Sequence, residues 1–137
     1  MITLTLYGEP VPKGRPRLRR KRASILLANS TRRKQKLAYT PEKTRVAEEM
    51  WRYAFKESQQ EGYPAGVPLY MCVVFSFTKK RGIPKGDIDN YAKLVMDALQ
   101  GFAYQNDSQI CVLFAMKRVT AYDNAGTLVT IKERLAG

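Results

Sequence analysis

Gly86-Asp87-Ile88-Asp89-Asn90-Tyr91-Ala92-Lys93-Leu94-Val95-Met96-Asp97-Ala98-Leu99, followed closely by Gln105-Asn106-Asp107-Ser108-Gln109, is the stretch around which this chain is organised. Gly86 offers a turn and Asp87 a good N-cap, so a helix is expected to begin near Ile88 or Asp89 and to end near Gln100, before Gly101. Ile88, Tyr91, Ala92, Val95, Ala98, Leu99 and Phe102 recur at three- and four-residue intervals and form its apolar stripe. Asp89, Lys93 and Asp97 lie one turn apart along a different line, with Asp87 just ahead of the first turn.

Two carboxylates at i and i+2, one before a helix and one in its first turn, can face the same side because the dihedrals change between them. Mg²⁺ binds through only one or two carboxylates together with phosphate and water, so Asp87 and Asp89 suit it. If the apolar run Ile110-Cys111-Val112-Leu113-Phe114 is a strand packed under the helix, Asp107 is expected to return to the same end as Asp87. The same spacing also admits a plainer reading: a cap at Asp87, helical pairs of Asp89 and Asp97 with Lys93, and a turn at Asp107.

A length of 137 residues accommodates one domain with a proper core, spanning 1–137, and not two. The hydrophobic fraction of 45% and the charged fraction of 26% are ordinary for a globular chain, but the net charge of +12 is not. With a pI near 9.9 it calls for a polyanionic partner, nucleic acid ahead of an anionic membrane surface. No run of about 18 apolar residues exists to span a membrane, and the start of the chain shows no basic-then-apolar signal pattern. A cytoplasmic protein is expected, nucleoid-associated in a bacterium or a phage-infected cell. Cys72 and Cys111 sit in apolar runs and are expected as buried, reduced thiols. There is no histidine, which excludes Ser-His and Cys-His chemistry and imidazole-based zinc sites. Carboxylates, lysine and a hard metal remain for hydrolysis.

Along the chain, Ile2, Leu4 and Leu6 alternate with Thr3, Thr5 and Tyr7 as in a half-buried strand. Prolines 10, 12 and 16 end that pairing. A basic arm or hairpin then spans 13–38, expected to bind nucleic acid through Lys13, Arg15, Arg17, Arg19, Arg20, Lys21, Arg22, Arg32, Arg33 and Lys34, with Lys36 beside them and a turn at Asn29-Ser30. Thr40 and Pro41 start a helix whose buried face is Ala47, Met50, Trp51, Ala54 and Phe55. Residues 69–77 are apolar on both alternating sets, as in a central strand covered on both faces. Lys79, Lys80, Arg81 and Lys85 form a basic loop leading into the acidic stretch, expected to bind nucleic acid and bring a phosphate towards the metal. Residues 109–118 read as a second central strand and 128–132 as a third pairing with it. The expected fold is α+β: one mixed sheet with two main helices on one face, and a partner subunit over the other.

Asp-Ile-Asp-Asn-Tyr-Ala-Lys, then Asp-Ala-Leu, then Asn-Asp-Ser-Gln-Ile resemble the core signature of the RusA-type Holliday junction resolvases. Pro10-Val11-Pro12-Lys13-Gly14-Arg15-Pro16-Arg17 and Tyr39-Thr40-Pro41 are similar to further landmarks of that family in the same order. The resemblance implies a Mg²⁺-dependent endonuclease acting on four-way DNA junctions in recombination and repair. It carries functional roles onto Asp87, Asp89, Lys93 and Asp107. Asn106 stands where many members have a second aspartate, although its carbonyl can still reach a metal. One or two Mg²⁺ ions, replaceable by Mn²⁺, are expected on Asp87, Asp89 and Asp107, with Lys93 at the phosphate or the leaving oxygen and Asp97 structural. Symmetrical cutting of opposed strands implies a homodimer. Two other readings stay open: a non-catalytic basic protein that binds nucleic acid, and a metal nuclease for other branched DNA.

Overall fold

The computed structural model describes residues 1–14, 17–18, 38–39, 42–78, 86–121 and 124–135. The elements in order are β1 (Ile2–Tyr7), β2 (Arg17–Leu18), β3 (Ala38–Tyr39), α1 (Glu42–Ser58), β4 (Leu69–Thr78), α2 (Ile88–Leu99), a single 3₁₀ turn (Asp107–Gln109), β5 (Ile110–Thr120) and β6 (Gly126–Glu133). Four strands form one mixed sheet in the order β1-β6-β4-β5, in which β4 and β5 are parallel and the other neighbours antiparallel. This is the expected α+β domain. Short strands β2 and β3 pair antiparallel at the root of the basic arm. The basic residues at 15, 19–22 and 32–36, and those of the loop 79–85, lie outside the described residues.

One sheet face carries the core. Ile2 and Leu4 of β1, Val129 and Ile131 of β6, and Leu69, Met71, Val73, Phe75 and Phe77 of β4 point to it, as period-two alternation requires. Trp51 and Phe55 of α1 and Leu94, Val95, Ala98 and Leu99 of α2 close over it. The helical stripes differ from the sequence reading at their rims. Met50 and Ile88 are exposed, whereas Thr44, Glu48 and Leu94 are buried. Tyr91 wedges its ring between Phe75 and Phe77, with centroids 5.5 and 5.4 Å away. Gly86 is small for that reason: a Cβ there would lie 2.9 Å from the Tyr91 ring.

Two strands sit elsewhere than their sequence neighbours suggested. Residues 109–118 were expected as a central strand, but among the described residues β5 is an edge strand, paired only with β4. The strand 128–132 was expected to pair with it; β6 instead inserts between β1 and β4. Its alternation supplies the reason, because Thr127, Val129 and Ile131 bury one face while Leu128 and Lys132 remain outside, which suits a position between two core strands. The register also slips between Leu69/Tyr70 and Ile110/Val112, leaving Cys111 as an extra residue in β5. Cys72 and Cys111 are both free, as expected, but neither is buried: Cys72 is half-buried and Cys111 exposed.

Among the described residues, nothing covers the second face of the sheet. Val112, Phe114 and Met116 of β5 and Leu128 of β6 are exposed there, flanking Cys72 and Val74 of β4. Polar groups rim this apolar centre: Arg118 Nε donates to Ser76 Oγ at 2.8 Å, and Lys132 Nζ lies 5.1 Å from the centroid of Tyr70.

Candidate active site

Asp87 occupies the N-cap position of α2 with extended dihedrals, yet its side chain makes no capping hydrogen bond. The first-turn N–H groups use the backbone instead: Asn90 N–H donates to the Asp87 carbonyl at 3.0 Å. Its carboxylate therefore has no capping duty at the helix start, Asp89 stands in the first turn, and both residues are exposed. Anions gain from a helix N-terminus, so the position favours both carboxylates. The approach is braced from β5, where Lys117 Nζ donates to the Gly86 carbonyl at 2.8 Å.

Lys93 follows one turn later, 57% exposed, with Nζ 3.4 Å from Asp97 Oδ1. Asp97 Oδ2 in turn lies 3.1 Å from Lys13 Nζ, which also reaches Glu48 Oε2 at 2.9 Å. Lys13, one of the cations expected to meet DNA, thus has its ammonium between two carboxylates inside the fold. Burial alone would lower its pKa; hydrogen bonds and charge from Glu48 and Asp97 outweigh that and raise it above the ordinary lysine value of 10.5. Neither this cluster nor Lys117 stood out in the sequence, since nothing local distinguishes a lysine that pairs within the fold from one that faces solvent.

Asp107 is not where it was expected. Its N–H donates to Gln100 Oε1 at 2.8 Å, and Gln100 is the C-cap of α2. Because β5 runs parallel to β4, α2 must return antiparallel to both, and its far end meets the start of β5. The 12-residue helix α2 is about 18 Å long, with Asp87 and Asp89 at its start and Asp107 beside its C-cap. Consistent with this, no three acidic, cysteine or histidine side chains among the described residues are gathered to hold a metal.

The turn bearing Asp107 is built by its neighbours. Asn106 Oδ1 accepts the Ser108 N–H at 2.9 Å, so that oxygen is engaged as a cap. Gln109 is buried and takes N–H groups of Gln105 and Asn106 on Oε1 while Nε2 donates to the carbonyls of Pro64 and Val67. Tyr104, fully buried below, donates its hydroxyl to the Met96 carbonyl at 2.6 Å. Burial first, and then the charges of Asp107 and Asp97, push its pKa far above the usual phenol value and keep it protonated.

Carboxylates and amines on an α+β domain, in a strongly cationic chain without imidazole, define a class suited to phosphate-ester chemistry. The sequence profile of the family described as Endodeoxyribonuclease RusA matches residues 7–132. The chain belongs to this endodeoxyribonuclease family, as its central motif suggested. No individual curated protein matches it.

Proposed function

We propose that the protein is a Mg²⁺-dependent, structure-specific endodeoxyribonuclease that resolves Holliday junctions by paired phosphodiester hydrolysis, in recombination and repair, as a homodimer. The observation that carries this reading is the uncapped Asp87–Asp89 pair at the start of α2, one turn from the exposed ammonium of Lys93. Two carboxylates with no hydrogen-bonding duty among the described residues match the small protein share of a Mg²⁺ shell. One or two such ions, or Mn²⁺ in their stead, would supply a water of lowered pKa and neutralise phosphoryl oxygens. Asp87 and Asp89 hold and orient at the helix start. Lys93 donates from the helix flank to a phosphoryl oxygen or the departing 3′ oxygen, where charge grows in the transition state.

Asp107 joins this set through a second copy. An edge strand whose apolar side chains are exposed requires a cover, and β5 offers Val112, Phe114 and Met116 on the open face and Leu113 and Val119 on the other. A two-fold axis across β5 sets the strand against itself in the antiparallel sense. The Asp107 end of one β5 then approaches the Thr120 end of the other. Since Thr120 pairs with Thr78 at the end of β4 from which the chain proceeds to α2, Asp107 of the partner subunit comes towards Asp87 and Asp89. Two such sites related by the axis suit two cuts in opposed strands. The basic residues of the arm and of the loop 79–85 supply phosphate contacts.

A paired assay tests the site. Asp87→Asn with Asp89→Asn should abolish Mg²⁺-dependent junction cleavage while junction affinity in EDTA holds or tightens, because two negative charges are gone. Cleavage at the wild-type rate would refute the assignment; a wild type that binds but never cuts would make it a binding protein.

A further inference from the structure

We propose that Asp97 is a positioning residue for the reaction: it aims Lys93 along the flank of α2 through a carboxylate that Lys13 holds in place. The inference rests on the reading of Lys93 as the group that donates to the phosphate. The two oxygens of Asp97 are divided between two ammonium groups, Oδ2 to Lys13 at 3.1 Å and Oδ1 to Lys93 at 3.4 Å. These halves are not alike. Lys13 and Asp97 have side chains only 25% and 24% exposed, whereas Lys93 is more than half in solvent.

Lys13 is fixed from several directions. Its ammonium meets Glu48 Oε2 at 2.9 Å, its N–H donates to the Asn90 carbonyl at 2.9 Å, and the next N–H, of Gly14, donates to Thr44 Oγ1 at 2.8 Å. Glu48 and Thr44 are buried residues of α1, so the Asp97 carboxylate is referred to both helices at once. With one oxygen taken by Lys13, only the other faces Lys93. A lysine stem has four rotatable carbons and loses much freedom when its head is held. The exposed Lys93–Asp97 pair contributes little to stability, as i,i+4 pairs at a surface do. Its geometric consequence is larger: Lys93 stays on the line that leads back to Asp89, and the long 3.4 Å contact is weak enough to yield when a phosphate arrives. Lys13 with Lys93 and Glu48 with Asp97 also sum to no net charge, so the cluster itself neither draws nor repels DNA.

The test is single-turnover cleavage of a four-way junction with Mg²⁺, alongside junction affinity in EDTA, on Asp97→Asn, Lys93→Met and the two combined. A misplaced catalytic group costs about a hundredfold for roughly 1 Å, so Asp97→Asn should slow cleavage by about tenfold to a hundredfold with affinity unchanged within about twofold. Lys93→Met should slow it at least as far, and adding Asp97→Asn should then cost nothing more. Asp97→Glu, which keeps the charge and the fold, should recover part of the rate, and Lys13→Arg should retain most of it. Equal losses from Asp97→Asn with and without Lys93 would overturn the proposal, as would a wild-type rate in Asp97→Asn while Lys93→Met is slow. A wild-type rate in Lys93→Met would instead refute the role of Lys93 itself.

Discussion

Phe114→Asp should dissociate the proposed dimer while leaving the subunit folded. Phe114 is 49% exposed on the open face of the sheet. A phenylalanine presents about 200 Å² in all, so about 100 Å² is exposed in each copy, and cross-strand neighbours at a paired edge cover roughly half of that. At about 25 cal/mol per Å², that is ~1.25 kcal/mol per subunit and ~2.5 kcal/mol for the symmetric pair. Converted directly, it weakens association by roughly two orders of magnitude. Ordering and imperfect fit absorb part of such figures, which leaves a loss of at least about tenfold. The carboxylate adds a desolvation cost to any residual contact. Because the same ring is half in water in the subunit, the core does not depend on it, and Tm should fall only slightly at concentrations where both proteins are monomeric. Sedimentation velocity over the nanomolar to micromolar range measures the dissociation constant, and circular dichroism measures the fold. Cleavage should fall with the dimer fraction, since Asp107 and Asp87 lie at opposite ends of α2. A variant that dimerises as tightly as wild type, or a wild type that cleaves as a monomer, would refute the argument.

Lys13→Met strips Glu48 and Asp97 of their shared cation, and after discounting for the partial exposure of Lys13 and Asp97, 25% and 24%, and of Glu48, 11%, the loss should be about 2–3 kcal/mol in urea titration. With the Lys13 pKa raised, that stabilisation is fully present below 10.5 and is lost as pH climbs through the folded value, so the gap between the two proteins should be flat from pH 6 to 9 and close only beyond 10.5. Gly86→Ala drives a Cβ to 2.9 Å from the Tyr91 ring and should cost about 1–3 kcal/mol by thermal melting, with Gly86→Ala at full stability ruling out that contact. Neutralising Arg19, Arg20, Lys21 and Arg22 together should flatten the log–log salt dependence of junction binding by about 0.9 per lost contact, and an unchanged slope would mean those residues do not touch phosphate.

The helix of the central motif was legible because its signals agree: Gly86 and Asp87 before it, a 3.6-residue stripe within it, and Gly101, at a φ of 86°, after it. The two-sided apolar pattern of 69–77 likewise marked β4 as central and foretold an open face in need of cover. What could not be read was direction. Whether Asp107 returns to Asp87 depends on β5 running parallel to β4, a non-local pairing that no pattern within 110–120 encodes. The edge position of β5 was hidden for a related reason: Val112, Phe114 and Met116 read alike whether a neighbouring strand, a helix or a second subunit buries them. Lys13 was counted with the arm's DNA contacts because its partners, Glu48 and Asp97, stand 35 and 84 residues away in sequence, the first on α1 and the second on α2.

Mixing two inactive proteins tests the account most directly. One carries Asp87→Asn and Asp89→Asn; the other carries Asp107→Asn. Alone, each should leave the junction uncut in Mg²⁺. After subunit exchange, a mixed dimer holds one site with every change and one with none, because Asp87 and Asp89 of the second protein meet Asp107 of the first. Nicking of the junction should reappear in the mixture, at one strand per binding event, and scale with the fraction of mixed dimers. A mixture that exchanges subunits and stays as inactive as its parents would contradict a site shared between two copies.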